Sequence, residues 1–322
     1  MYGYTIFHEG LMDTLINNVR EGKNANTYIF EGEPGLGKSE AARLFAAALV
    51  CGNTSSAPCL SCSSCIEAKA GSHPDIIHVK KEDKKTVIGV DVIRRVIAEG
   101  LTKPFYSKHK VFIVDDGDIL NDAAQNTFLK LIEEPPEYAV FIIVCTSAAA
   151  LLQTVRSRAV IISFPPVSDE KVHDYIAEKY PDEPRIDFLT KFCAGIPKRA
   201  DEIIMRSDFE ELREKVLGII SRIMSSNMKY AFDISDFFDA HADKADEICD
   251  MLLLYLRDGL VTAVGKGDAV INTDKNDIVL KLAQSYTPQK IAHKMDEVMT
   301  AKKMLAKHIK PSAVGLHLAL KS

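Results

Sequence analysis

The residues Gly32-Glu33-Pro34-Gly35-Leu36-Gly37-Lys38-Ser39 place glycines, a lysine and a hydroxyl at the spacing of a phosphate-binding loop. Glycines let consecutive backbone N–H groups converge on phosphate oxygens, and a following helix adds its positive end. In that chemistry Lys38 neutralises the outer phosphates and Ser39 ligates Mg²⁺. A glycine-rich turn that binds nothing is the plainer alternative. The strand before the loop and the helix after it favour the nucleotide reading. Hydrolysis further needs a metal-holding acid on a neighbouring strand and a carboxylate that orients water. The segment 110–116 ends in Asp115 and Asp116, which supply a metal ligand and a water-orienting acid respectively. Asp116 is one methylene shorter than the glutamate usual at such a position, and a misplacement of about 1 Å costs about a hundredfold in rate. The sequence therefore predicts binding of ATP with Mg²⁺ and leaves turnover by this chain open.

One helix's length further on come Cys51, Cys59, Cys62 and Cys65, spaced x7, x2 and x2. Four thiolates so placed can close a tetrahedral structural zinc site with no open position. His73 is a further candidate ligand, although four cysteines suffice. Cys145, Cys193 and Cys249 lie in apolar or helical stretches and are read as core residues. A third candidate is the polar turn Thr154-Val155-Arg156-Ser157-Arg158-Ala159. Its arginines either pair with surface acids or act as an arginine finger, a guanidinium inserted at a neighbouring subunit's γ-phosphate. Such fingers raise hydrolysis roughly 10³–10⁵-fold.

These residues need a scaffold. Strands are expected over 27–31, 75–79, 110–115, 140–145 and 160–164, alternating with helices over 39–50, 90–101 and 121–134. Asn121 or Asp122 caps the last of these, and Pro135-Pro136 stops it. Strands this apolar between helices indicate a parallel sheet covered on both faces. Beyond Pro165-Pro166 no strand is expected. Three short helices over 167–206 give way to longer ones over 209–224, 242–264 and 288–309. The fold class is thus α/β followed by helices. The expected parts are a nucleotide-binding domain over 1–165 carrying the cysteine module at 51–65, a helical lid over 166–206, and an all-α domain over 207–322.

At 322 residues, with 47% apolar and 26% charged residues, the composition is that of a soluble multidomain protein. The net charge of −5 supplies no global field for nucleic acid. Any DNA contact would be local or made through partner chains; the stretch Lys103, Lys108, His109 and Lys110 is the local candidate, with a solvated loop as its equal alternative. Seven cysteines are no disulfide framework. With no leader in Met1-Tyr2-Gly3-Tyr4 and no membrane-length apolar run, a cytoplasmic protein without membrane contact is expected.

The order of motifs carries a resemblance. The loop and cysteine cluster are followed by Gly71-Ser72-His73-Pro74-Asp75, the segment 111–118, Ala124-Gln125-Asn126-Thr127-Phe128-Leu129-Lys130-Leu131-Ile132-Glu133-Glu134-Pro135-Pro136, and Arg156-Ser157-Arg158. This order resembles the bacterial clamp-loader subunits of DNA polymerase III, in the AAA+ superfamily, and their delta-prime group more than their gamma/tau group. The resemblance implies a stationary member of a hetero-pentameric ring with gamma/tau and delta subunits, which loads the sliding clamp onto primed DNA. It implies that Arg158 is a finger acting in trans and that the carboxy-terminal helices form the ring's collar. Thr146 falls at the family's sensor-1 position. Lys198 falls at sensor 2, with a point charge where the family has a bidentate arginine. The family's Ser-Arg-Cys reads Ser157-Arg158-Ala159 here. A gamma/tau-like motor is the alternative. Against it stand Asp116, Lys198 and a chain that runs to Ser322 without a further domain. An unrelated P-loop transferase would leave the cysteines and the Ser-Arg turn unexplained.

Overall fold

In the computed structural model, residues 7–320 apart from Lys84 are described; residues 1–4, on which the no-leader reading rests, lie outside them. The first half runs α1 (Glu9–Arg20), β1 (Thr27–Glu31), α2 (Lys38–Leu49), α3 (Ser63–Ala70), β2 (Ile76–Val79) and α4 (Val90–Gly100). It continues through β3 (Lys110–Val114), α5 (Asp122–Glu133), β4 (Ala139–Cys145), α6 (Gln153–Arg156) and β5 (Val160–Ser163). The five strands form one parallel sheet in the order β2-β3-β4-β1-β5.

Every residue of β3 and β4 is buried, as are Thr27 to Phe30 of β1. Phe112 stacks on Phe141 at 5.2 Å, and Phe128 of α5 meets Phe141 edge-on at 5.2 Å. Burial of each such ring contributes about 1.5–3 kcal/mol. Asn121 caps α5 by accepting the Ala124 N–H at 2.8 Å, which settles the choice between Asn121 and Asp122. The cover on both faces stops at the sheet's outer edge. On β5, Val160 and Ile161 are 45% and 42% exposed, because that strand has a neighbour on one side only. Helix α1 was not anticipated, although Met12, Leu15, Ile16 and Val19 form a regular buried stripe.

Contacts divide the chain into two compact units, residues 1–172 with 194–199, and residues 173–193 with 200–322. The division runs through α7 (Asp169–Lys179) and α9 (Pro197–Ile204), with α8 (Ile186–Phe192) between them. The second unit continues with α10 (Phe209–Ser225), α11 (Ala231–Ala240), α12 (Ala245–Ala263), α13 (Asn276–Ser285), α14 (Pro288–Ala306) and α15 (Pro311–Leu320). No strand occurs beyond β5 among the described residues, as expected. Buried Arg213 of α10 donates to both oxygens of Asp274 (2.6 and 2.7 Å) and to Asn272 Oδ1 (2.8 Å), with its guanidinium 3.8 Å from the Phe188 ring centre. No helix among the described residues is long and apolar enough to cross a membrane.

The turn after β3 depends on Gly117. A Cβ there would stand 2.5 Å from Ile143 Cγ2 and 3.1 Å from the Val144 carbonyl oxygen. The turn carrying Asp116 and Asp118 therefore packs directly on the end of β4. We expect Gly117→Val to destabilise the protein by about 1–3 kcal/mol through overpacking. Urea unfolding checks this, and an unchanged midpoint would show that the turn yields freely.

Candidate nucleotide and metal sites

The glycine loop leaves the carboxy-terminal end of β1, an interior strand between β4 and β5. Gly32, Gly35 and Gly37 have φ of +148°, +94° and +83°, conformations that side chains oppose. A Cβ on Gly32 would also meet the Phe164 carbonyl oxygen at 2.5 Å, and one on Gly35 would meet Ile196 Cγ2 at 2.7 Å. The segment 194–199 is thus folded over the loop, bringing Lys198 to the same cleft. Lys38 is buried at the start of α2, and its ammonium donates to the carbonyls of Gly32 (2.5 Å) and Glu33 (2.8 Å). Burial lowers its pKa, against the opposing influence of Cys145, Asp118 and Glu33.

The cleft has a volume of about 390 Å³ and is lined by Gly35, Gly37, Lys38, Ser39, Asp115, Asp116, Thr146 and Lys198, all expected from the sequence. Gly32 is not among the lining residues. Pro34, Glu40, Arg43, Asp118, Val144 and Cys145 also line it, and none of these was offered by the sequence as a binding residue. Asp118 Oδ2 accepts from the Thr146 N–H at 2.7 Å and from its hydroxyl at 3.1 Å, which fixes that threonine. The acidic run from Asp115 to Asp118 was the available signal. Cys145 belongs to the core as read, but it also forms cleft wall. Burial pushes its thiol up to about 12, so it is inert there.

Asp115 stands at the end of β3 with Oδ2 3.2 Å from His78 Nδ1. Burial raises its pKa, but the His78 hydrogen bond and charge, the Arg43 charge and a hydrogen bond from the Ser39 side chain outweigh this and hold it below the usual carboxylate value. Its Oδ1 is buried and accepts no hydrogen bond from the protein. A buried carboxylate oxygen without a protein partner, beside Ser39 in a cleft with Lys38, is a donor set that fits a hard divalent cation. Asp116 is exposed and lines the same cleft.

The sulfurs of Cys51, Cys59, Cys62 and Cys65 all lie within 4.8 Å of one another and could hold a metal ion. Cys51 and Cys62 are 4.0 Å apart, and tetrahedral thiolates at a metal–sulfur distance of about 2.3 Å would sit about 3.8 Å apart. Backbone N–H groups already point at the sulfurs: Cys62 to Cys59 and Cys65 to Cys62 at 3.4 Å, and Cys59 to Cys51 at 3.5 Å. The Ser61 and Cys62 N–H groups, with those residues' side chains, hold the Cys59 thiol down to about 6. Burial pushes Cys51 and Cys65 up. Leu60, inside the Cys59–Cys62 turn, has φ +57°, a conformation costing a bulky residue about 1–2 kcal/mol.

His73 is not a ligand here. Its Nδ1 accepts the Asp75 N–H at 3.1 Å, and its Nε2 lies 3.3 Å from Ser107 Oγ. Buried Asp75 in turn accepts N–H bonds from Phe105, Tyr106 and Ser107 at 2.5, 3.2 and 3.0 Å. The basic stretch beyond it is not one patch. His109 and Lys110 are buried, and Lys110 is bound to Glu99 (2.8 Å) and Thr102 (2.6 Å). Arg158, in the turn before β5, is exposed and paired within the chain. It reaches Glu133 of α5 at 3.0 Å and donates to the Thr154 carbonyl at 3.0 Å.

With the glycine loop after β1 and the acids after β3, two places along the sheet, the fold is that of AAA+ P-loop proteins. The family model described as DNA polymerase III, delta subunit, matches residues 7–168, and the corresponding C-terminal model matches residues 207–313. The chain belongs to this DNA polymerase III delta-subunit family. It is 27% identical over 315 residues to DNA polymerase III subunit delta′ of Bacillus subtilis, covering 96% of this chain and 94% of that one. It is 25% identical to subunit tau/gamma of Haemophilus influenzae, covering 95% of this chain and 44% of the longer relative. In fold it matches a gamma-subunit-related protein of Thermotoga maritima with a TM-score of 0.54 at 18% identity, over 96% of this chain and 97% of that one.

Asp75 yields a pH prediction. Burial raises its pKa, but the N–H donors of Phe105, Tyr106 and Ser107 and the Ser107 hydroxyl prevail and hold it below its ordinary 3.8. The depressed value means that its contribution is complete above about pH 4 and is lost as pH falls through the folded-state pKa. We expect Asp75→Asn to cost about 1–3 kcal/mol at pH 7, with the gap to wild type narrowing below pH 4. Urea unfolding at both pH values measures it. A gap independent of pH would remove the charge from the account.

Proposed function

We propose that this chain is a delta-prime-type subunit of a DNA polymerase III clamp loader, acting in the cytoplasm with gamma/tau and delta subunits to place the sliding clamp on primed DNA. The observation that carries the reading is the similarity to a delta′ subunit along 96% of this chain and 94% of that one. In this reading residues 1–165 are the nucleotide domain, 166–206 the lid and 207–322 the collar that joins the ring.

Arg158 is the residue offered to the adjacent subunit's ATP. Its Glu133 partner is 48% exposed, and exposed pairs are worth about 0–1 kcal/mol. Release from Glu133 is therefore a small obstacle to a contact in trans. Within this chain the cleft is proposed to take ATP with Mg²⁺. Bound Mg²⁺ would neutralise phosphate charge, with Ser39 and Asp115 holding it. Gly32, Gly35 and Gly37 give the backbone its phosphate-facing path, and Lys38 exchanges two carbonyls for phosphate oxygens. Thr146 and Lys198, which line the same cleft, would contact the outer phosphates, and Asp116 would orient water. The four cysteines are proposed to hold zinc, which would draw the sulfurs together and offset the strain at Leu60.

The intact loop with Lys38, Ser39 and Asp115 in one cleft favours a second reading, a gamma/tau-like motor. Reconstitution with the other subunits, clamp and primed DNA separates the two. In the delta-prime reading Arg158→Ala removes turnover at the adjacent site, a roughly 10³–10⁵-fold effect there, while Lys38→Ala leaves the ring's turnover nearly intact. Glu133→Gln retains activity. Loss of turnover with Lys38→Ala and none with Arg158→Ala would establish the motor.

For the metal, elemental analysis of purified protein should give one zinc per chain. Cys62→Ser should lose it and lower stability by about 2 kcal/mol or more. Protein that purifies metal-free with unchanged stability would overturn the assignment.

A further inference from the structure

His78 has no place in the phosphate-binding pattern, yet its ring lies within hydrogen-bond distance of Asp115, whose carboxylate Ser39 also meets. In the parallel register of β2 and β3, His78 stands opposite Ile113. Asp115 lies two residues beyond Ile113, on the same side of the sheet, so the imidazole reaches diagonally forward to the carboxylate. The Nδ1 to Oδ2 distance is 3.2 Å, and the two side chains are 24% and 20% exposed. The second oxygen, Oδ1, is buried without a protein partner.

A carboxylate held at one oxygen cannot turn about its terminal bond, so the lone pairs of the other point in a fixed direction. We infer that His78 is a positioning residue that locks the Asp115 carboxylate with Oδ1 directed at the metal accompanying nucleotide in the cleft. The inference rests on the nucleotide reading proposed above. His78 also lines a second cleft of about 290 Å³, which shares Arg43 and Asp115 with the first and extends to Lys69 of α3 and to Lys80. The Arg43 charge favours the ionised form of Asp115, and Ser39 meets the carboxylate from the loop side. From the neighbouring strand its orientation falls to His78. Hydrogen-bond partners of metal-ligating carboxylates are typically worth 10–100-fold in metal affinity.

The test titrates Mg²⁺ into the full chain with a fluorescent N-methylanthraniloyl-ATP, beside a titration of the same nucleotide in Mg²⁺-free buffer. His78→Ala should raise the Mg²⁺ concentration at half-effect about 10–100-fold and leave Mg²⁺-free nucleotide affinity unchanged. His78→Asn, whose amide can donate from nearly the position of Nδ1, should restore the wild-type value to within about threefold. Thermal unfolding of both variants verifies the fold. An unchanged Mg²⁺ dependence in His78→Ala overturns the inference, as does equal impairment of both variants or an equal loss of Mg²⁺-free affinity. Lys38→Ala separates the two levels. A wild-type chain that binds no nucleotide, indistinguishable from Lys38→Ala, removes the nucleotide reading itself. A wild type that binds where Lys38→Ala does not leaves that reading standing, and the His78 variants then decide alone.

Discussion

The parallel pairing of β1 with β4, and of β4 with β3, is the constraint on which the rest of the first unit depends. Parallel strands end on one side of a sheet, so every residue that follows a strand is delivered to the same edge. The glycine loop after β1, the acids after β3 and Thr146 after β4 meet for that reason and no other. The junction is also tied directly. The Gly32 N–H donates to the Thr146 carbonyl at 3.1 Å, while the Glu31 carboxylate accepts from the Ala148 N–H at 2.9 Å and the Ser163 hydroxyl at 2.7 Å. One acidic side chain at the end of β1 thus fastens the segments after β4 and β5 around the start of the loop. A shift of register by one residue would break all three bonds and turn every buried strand residue to the wrong face.

What was legible in the sequence is what is local. The loop and the four cysteines each occupy one short window, so spacing alone describes them. The central strands were legible because a strand buried on both faces must be apolar along its whole length. The missed residues act across long separations. His78 reaches Asp115 over 37 positions, and Asp118 reaches Thr146 over 28. No pattern in a single sequence pairs them until the sheet sets the register. Lys110 misled for the opposite reason. A lysine beside Lys108 and His109 looks like surface charge, but as the first residue of β3 it is buried and held by Glu99 and Thr102. Helix α15 was missed because it is apolar all round and carries Gly315. A Cβ on that glycine would sit 2.8 Å from the Ile234 carbonyl oxygen of α11, so the two helices meet backbone to backbone.

The charges in the cleft explain why an intact loop does not by itself define a motor. Lys38, Arg43 and Lys198 face Glu40, Asp115, Asp116 and Asp118, so three cations meet four acids and the lining has no excess of positive charge. Such a cleft attracts a polyanion only through directed groups: the loop's N–H donors, a lysine released from two carbonyls, and a cation on the acids. Arg158 is different. It stands outside the cleft, held by the exposed Glu133 carboxylate, the Thr154 carbonyl and the Ser157 hydroxyl.

Helix α2 links the two ends of the site. Its amino terminus carries Lys38 and Ser39, and two residues past Leu49, where it ends, comes Cys51, with Cys65 Sγ 3.9 Å from the Ala47 carbonyl oxygen. Twelve residues of helix span about 18 Å, so the cysteines cannot touch a nucleotide at the loop. They can fix the helix that presents it. Thiolates are disfavoured at the negative end of a helix, and burial at Cys51 and Cys65 opposes them further. A bound cation removes both penalties at once. The local electrostatics of α2 therefore call for an anion at its first turn and a cation beyond its last, which is the arrangement the two sequence motifs provide.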